Sequence, residues 1–438
     1  MDIHLINYEE YKKDDFLCPI DNASISNNNL FKSLLNSINL NINDFILKLI
    51  ARNHLNYEYI GVCNNELKTI NDKFNDIFSF FNPNVRYHFK LEIPTHSNNI
   101  KSTTISLVLN IYLDTNNEDS IEQKYYQQSD GFKWFFNFFF NFYNLFNKES
   151  KSKQVILLDE PGIRFSNLSL INLRKFLKKL TFDYGITFVL TTHRSEWIDL
   201  DYLEELRIIK KPKTEVIVKN LFTFQDDKND LYLMNLIKSV EANFDTIGIN
   251  DEIDNFHYTK NYVLIEGITD YLYLTGIKIY LLNSKNEDDK DFLTKLKGIY
   301  FIPINGVGNK DQWQECIQKY NTYKNIFQQK KFLFVVDNDD AGKLFKLKNN
   351  FENESKYIKT IANITKNEEF TTIESLLDQK NITYFKLLDD KKHKNTNNSY
   401  EFKRAIIDAS IDNNEKLVSQ TTIDNLTNLI KGIVKELE

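Results

Sequence analysis

The chain has 438 residues, with 55 Lys and Arg against 61 Asp and Glu and a formal charge of -6. That length suits two or three domains. A balance of 42% hydrophobic and 26% charged residues excludes wholesale disorder, and the mild acidity excludes a generally basic nucleic-acid coat while leaving a local basic groove open. Three cysteines, Cys18, Cys63 and Cys316, lie far apart without a CxxC pair, which argues against a disulfide framework or a zinc finger and for a reducing interior.

No targeting segment is expected, because the N-terminal stretch MDIHLINYEEYKKDD is acidic and polar. Leu30 to Ile50 carries apolar residues at helical spacing. Ser102 to Leu113 alternates as a strand does and runs into a polar turn at Asp114 to Asp119. The most apolar run, Trp134 to Phe146, has 13 residues including three Asn, too short to cross a bilayer. A buried helix is expected there, and a cytoplasmic chain with no membrane partner. From Gln154 short apolar runs alternate with helical spacing: Val155–Leu158, then a helix over Leu168–Leu180, then Thr187–Leu190. This is the pattern of a parallel α/β arrangement. The charged, Asn-rich segment Lys210 to Lys260 is expected to hold a domain boundary. A second α/β run follows, with strands Tyr262–Ile265, Ile299–Ile304 and Phe332–Val336, a helix over Asp270–Leu282 and another reaching Tyr320. The last 60 residues read as helical around a polar loop at Asp389–Ser399.

Two constellations carry chemistry. In the first, VILLDEPG (Val155–Gly162) has the form of a Walker B strand. Asp159 at its end is placed to bind Mg²⁺ through water, and Glu160 to polarise the water attacking a γ-phosphate. The run VLTTHRSEW then brings His193 to the end of the neighbouring strand. Upstream, Ser129-Asp130-Gly131 opens the apolar helix, where exposed N–H groups suit a phosphate held by another subunit. In the second, YVLIEGITD puts Glu266 at a strand end and Asp270 at the next helix start, and FLFVVDNDDAGK puts Asp337 and Asp339 at another strand end. Neighbouring parallel strands share their C-terminal edge, so these carboxylates are expected to converge on Mg²⁺ or Mn²⁺, as in two-metal phosphodiester cleavage.

The order and spacing of the first set resembles the ABC-like ATPase domain of the OLD (overcoming lysogenisation defect) family of endonucleases. In that family an SxGFxWF element replaces the ABC signature and DEPG and TTH follow. Here Gln128 stands where a basic residue often precedes the signature Ser. The second set resembles a Toprim domain over roughly Asn261 to Gln379, with Asn305–Asn309 (NGVGN) matching its glycine turn. The resemblance implies ATP contacts at Ser129, Gly131, Asp159, Glu160 and His193. It implies metal ligands Glu266, Asp270, Asp337, Asp339 and Glu374, with Lys343 meeting a scissile phosphate. Lys391, Lys392 and Lys394 are candidates for contact with DNA. No GxxxxGK followed by Ser or Thr occurs in the 438 residues; the Gly-X-Gly-X-Lys at Gly306–Lys310 lies after the Walker B strand and lacks the spacing. The ATP site is therefore expected to be incomplete in this chain, as in a truncated gene or a split enzyme.

The fold class expected from these readings is α/β. It comprises a partial ABC-type ATPase domain over residues 1–215, a linker over 216–260, a Toprim (Rossmann-like parallel sheet) domain over 261–380 and a helical segment over 381–438. The expected function is ATP-linked, metal-dependent DNA cleavage in defence against phage or foreign DNA, by a homodimer or with a partner chain supplying the P-loop. The alternative is a non-catalytic regulatory subunit or remnant. A primase would bring zinc-binding Cys and His residues, and a type IA topoisomerase a much larger chain.

Overall fold

The structure, a computed structural model, describes residues 2–6, 11–51, 54–79, 81–82, 84–94, 105–114, 120–143, 153–163, 165–210, 216–220, 236–237, 239–240, 261–284, 290–304, 313–326, 332–340, 342, 357–387, 397–410 and 417–438. It is a mixed α/β fold with parallel and antiparallel sheets, and it divides into two compact units, Met1–Trp197 and Ile198–Glu438. Among the described residues no helix is long and apolar enough to cross a membrane.

The first unit runs β1 (Asp2–Ile6), β2 (Leu17–Pro19), three short helices, a small antiparallel pair β3 (Ile50–Ala51) and β4 (His54–Leu55), and a long helix Tyr57–Phe78. Strands β5 (Tyr87–Glu92), β6 (Ser106–Asp114) and β7 (Ser120–Gln123) follow, then the helix Asp130–Phe142, β8 (Gln154–Asp159), the helix Asn167–Tyr184 and β9 (Thr187–Thr191). Strands β2, β6 and β5 form an antiparallel sheet that β7 joins along β6, while β1, β8 and β9 are parallel. Alternation along β6 buries Leu107, Leu109 and Ile111 and turns the residues between them toward the other face. The helix Asp130–Phe142 buries Phe132, Phe135, Phe136 and Phe139 among Phe74, Phe78 and Phe89 in edge-on and tilted ring contacts, so its apolar run is core, as expected. Residues 144–146 of that run lie outside the described residues.

The outer edge of β5 is closed by asparagines. On the helix Tyr57–Phe78, the Oδ1 atoms of Asn64, Asn71 and Asn75 accept the N–H groups of Leu91, Phe89 and Tyr87 at 2.8, 3.0 and 2.8 Å. Their Nδ2 groups donate to the carbonyls of the same three residues at 2.9, 3.3 and 2.7 Å. Each side-chain amide thus replaces a neighbouring strand, which satisfies an otherwise open sheet edge.

The second unit opens with a 3₁₀ turn at Leu203–Glu205 and an antiparallel ribbon, β10 (Arg207–Lys210) with β11 (Ile217–Asn220). Its main sheet is wholly parallel, in the order β13 (Ile299–Pro303), β12 (Asn261–Ile265), β14 (Phe332–Val336), β15 (Ile358–Thr360). Strands β12 and β14 lie at its centre; β14 is buried along its whole length, which is why both read as unbroken apolar runs. The helix Ile268–Asn283 buries every residue from Tyr271 to Ile279, and the helices Asn397–Asp408 and Gln420–Glu436 complete the core. The polar loop expected at 389–399 ends sooner, since Asn397 already begins a helix; 389–396 lie outside the described residues. The compact units divide between Trp197 and Ile198, and Leu200 and Leu203 belong to the second core.

Candidate functional site

In the first unit, β8 and β9 end side by side, with Asp159 in register with Thr191. The Thr191 hydroxyl donates to Asp159 Oδ1 and accepts the Glu160 N–H at 3.2 Å. Glu160 has φ 44°, a left-handed conformation that a non-glycine residue adopts at a cost. Its Oε1 lies 3.3 Å from Nε2 of His193, whose ring is 95% exposed. Asp159, Glu160 and His193 therefore meet at one sheet edge, open to solvent. Gly162 has φ 70°, and a Cβ there would come 2.7 Å from Leu170 Cδ2, so the DEPG turn needs its glycine.

Sequence reasoning missed Arg194. Its guanidinium donates to Phe165 O at 2.9 Å, Asn167 Oδ1 at 2.6 Å and Glu196 Oε1 at 3.0 Å. Burial works against ionisation of Glu196, but the Arg194 hydrogen bond and charge outweigh it and hold the carboxyl below its usual range. Arg194 thus ties the turn after β8 to the turn after β9. The signal for it was a basic residue directly after Thr-Thr-His with an acid two positions on.

Ser129 and Gly131 sit at the start of the helix Asp130–Phe142. Ser129 Oγ accepts the Phe132 N–H at 3.2 Å as an N-cap. A Cβ on Gly131 would meet only Ser129 Oγ, at 3.9 Å, so the fold itself does not demand glycine there.

In the second unit, Glu266 and Asp337 follow the adjacent strands β12 and β14, and Glu266 Oε1 accepts the Asp337 N–H at 2.8 Å. Asp339 Oδ1 accepts the Gly342 N–H at 2.8 Å. A Cβ on Gly342 would lie 2.1 Å from Asp337 O, so this turn closes only around glycine. Asn338 is buried between the two aspartates. Its N–H donates to Thr371 O at 2.6 Å and its Nδ2 to Glu368 Oε2 at 3.1 Å, pinning the loop to the segment that leads into Glu374. Glu374 is itself buried, in the 3₁₀ turn Ile373–Leu376.

The expected five-carboxylate cluster is not gathered. Among the described residues no group of three or more His, Cys, Asp or Glu is positioned to hold a metal ion. Asp270 shows why in part: Oδ2 turns back onto the Gly267 N–H at 2.9 Å and caps its own helix. The carboxylates of Glu266, Asp337 and Asp339, which follow two adjacent parallel strands, are hard oxygens whose chemistry fits Mg²⁺ or Mn²⁺. Lys343, the turn 305–309, and Lys391, Lys392 and Lys394 lie outside the described residues.

No protein-family model matches the chain, and no curated protein does. Solved structures to which it is weakly similar include SMC ATPases and Smc head domains. One, from work on ATP-driven dimerization and DNA-stimulated activation of SMC ATPases, is 14% identical with a TM-score of 0.27, covering 41% of this chain and 96% of that one. An Smc head bound to the C-terminal winged-helix domain of ScpA is 16% identical with a TM-score of 0.25, covering 38% and 47%. An Smc head with extended coiled coil, bound to the C-terminal domain of ScpA from Pyrococcus furiosus, is 16% identical with a TM-score of 0.24, covering 44% and 43%. The chain thus spans less than half the length of the latter two.

Proposed function

We propose that the chain is a metal-dependent phosphodiester hydrolase acting on DNA, with its reacting edge at the C-terminal ends of β12 and β14. One observation carries this reading: Glu266 and Asp337 emerge from adjacent, buried, parallel strands and meet there, with the Glu266 carboxylate on the Asp337 N–H. Glu266, Asp337 and Asp339 are the residues that would hold Mg²⁺ or Mn²⁺, and a bound ion of that kind supplies activation of water and neutralisation of charge on a phosphate. The rest is positioning by the chain. Asn338 anchors the loop from inside, and the Gly342 N–H orients Asp339.

In the same reading the first unit presents Asp159, Glu160 and His193 to a nucleotide whose phosphate cradle comes from a partner chain. The setting in the cytoplasm and in defence against foreign DNA rests on the OLD-like and Toprim-like motifs alone. The rival reading, a regulatory chain without turnover, predicts no cutting.

Purified chain with Mg²⁺ or Mn²⁺ is expected to nick or linearise supercoiled plasmid, and EDTA to stop it. Glu266→Gln and Asp337→Asn are each expected to abolish cutting while keeping the circular dichroism of wild type. Cutting by both variants at the wild-type rate, or none by wild type with either ion, overturns the proposal.

A further inference from the structure

The three-stranded parallel sheet of the first unit is covered on one face only. Ile156 and Leu158 of β8 are buried, and their partners in register on β9, Phe188 and Leu190, pack against the same core. The residues between them face the other way. Ile3, Val155, Leu157 and Val189 share that second face by register. Ile3 and Val189 are 59% and 52% exposed, and Val155 and Leu157 are half-buried. Wholly parallel sheets are otherwise covered on both faces. The edge is open as well. In the order β1-β8-β9, β9 has one neighbouring strand among the described residues, and its sequence TFVLT holds no charge, proline or glycine to blunt the unpaired side.

The charges at the two ends of this face say what fits it. At the C-terminal ends of the strands stand two carboxylates. Asp159 follows Val155 and Leu157 onto the open face by alternation and accepts the Thr191 hydroxyl there, and Glu160 comes next in the chain. At the opposite end Lys153, exposed, directly precedes β8. A helix laid antiparallel to the strands brings its positive N-terminus to the carboxylates and its negative C-terminus to Lys153. Such a helix N-terminus, at the carboxyl ends of parallel strands, is also where a phosphate binds. The dimensions agree. Two strand spacings of about 4.8 Å match a helix about 10 Å across, and a five-residue strand of about 16 Å is spanned by about 11 helical residues.

We propose that this edge and face receive one strand–loop–helix segment of a partner chain that carries GxxxxGK followed by Ser or Thr. Its strand adds parallel to β9. Its helix covers Ile3, Val155, Leu157 and Val189, and the amides and lysine of its loop come to the phosphates of a nucleotide held against Asp159 and Glu160. The proposal rests on the reading of this edge as half of a nucleotide site and names the surface through which the other half arrives. A second copy is the less suitable occupant, since the 438 residues hold no such loop.

The test is photo-crosslinking in the source cell, with p-benzoylphenylalanine in place of Val189 or of Ile3 in the full chain. Replacement of Val62, exposed on the helix Tyr57–Phe78, is the control away from this face. Crosslinks from positions 189 and 3 are expected to land, by peptide mass, on a chain bearing the GxxxxGK loop, in the strand before the loop or the helix after it. Position 62 is expected to give none there. Val189→Glu puts an unpaired charge under the helix and is expected to lower the crosslink from position 3 at least about 10-fold, and Val189→Ile to keep it, both with the circular dichroism of wild type. Crosslinks to a second copy, to a chain without the loop, or to no chain overturn the proposal, as does a Val189→Glu chain that crosslinks like wild type. The nucleotide reading is scored apart, by equilibrium dialysis of labelled ATP against the purified pair. A pair joined through position 189 that binds no ATP removes that reading and leaves the surface. ATP bound by a pair joined elsewhere removes the surface and leaves the reading.

Discussion

Replacing Asn75 with Ala tests the asparagine closure of β5 directly. Asn75 is buried and satisfies both backbone groups of Tyr87, at 2.7 and 2.8 Å. Alanine removes both partners at once, and an unsatisfied buried group costs about 1–3 kcal/mol, so two set a range of about 2–6 kcal/mol. Water reaching the edge lowers this toward about 3 kcal/mol. For a unit of this size each kcal/mol moves the melting temperature by about 2–4 °C, which predicts a fall of about 6–12 °C. Asn64 is only half-buried, so Asn64→Ala is expected to cost less. Hydrogen exchange separates the bond from general loosening. The Tyr87 amide is expected to lose protection in Asn75→Ala, and to keep much of it in Asn75→Asp, which retains an acceptor for the N–H but sets a carboxylate against the Tyr87 carbonyl. A loss below about 0.5 kcal/mol together with unchanged Tyr87 protection would refute the reasoning.

Gly342→Ala must open the 2.1 Å approach to Asp337 O to at least 3.0 Å, a shift of about 0.9 Å in the carboxylate loop. Misplacement of about 1 Å costs of order 100-fold in rate, so plasmid cutting is expected to fall by that factor with circular dichroism unchanged, and a wild-type rate would remove the loop from the mechanism. The isolated chain is expected to release phosphate from ATP no faster than its Glu160→Gln variant, since no P-loop lies in the 438 residues; a clear difference in a phosphate-release assay contradicts this. Burial, with the Asp21 charge adding to it at Cys18, pushes the thiols of Cys18 and Cys63 from 9.0 up to about 11. The folded state then binds more protons than the unfolded state between those values, so this contribution to stability is complete below pH 9 and is lost as pH rises through 11. At pH 8 the thiolate fraction is about 100-fold lower than in an unperturbed thiol, so iodoacetamide should label these two positions at least that much more slowly in native than in urea-unfolded protein, as read by peptide mass; equal rates would contradict the burial argument.

How much of this was legible depended on where each element finds its partner. Phe332–Val336 and Asn261–Ile265 were readable because a strand buried on both faces needs nothing but apolar residues, and the local run shows that. Leu30 to Ile50 read as one helical stretch but forms two helices, Asn29–Ser37 and Ile42–Leu49. The break lies at Asn39, with φ 55°, and Asn41, which caps the second helix; apolar spacing continues through it, and only the asparagines mark it. The asparagine closure was not legible. Asn64, Asn71 and Asn75 resemble a solvent-facing stripe, and their partners Leu91, Phe89 and Tyr87 are assigned only once helix and strand are placed together. β1 was missed for the same reason, since its partner β8 lies more than 150 residues away, Asp2 pairing with Gln154.

The two site edges show the same division. Asp159, Glu160, His193, Glu266, Asp337 and Asp339 could be singled out as candidates because they lie at or just past strand ends, which the local apolar runs mark. The residues that hold them, Thr191, Arg194, Asn338 and Gly342, could not, because each acts through a bond to a distant turn. The Asp-Asn-Asp triplet makes the reason concrete. Its spacing of two reads as a pair of ligands with a spacer between them. In the fold the middle residue is the buried one, anchored on Thr371 and Glu368, while Asp337 is half-buried and Asp339 exposed. The two carboxylates face away from the core because Asn338 faces into it. The spacing therefore records a loop nailed down at its centre, and an apolar residue at 338 would fill the space while leaving the Glu368 carboxylate without its amide donor.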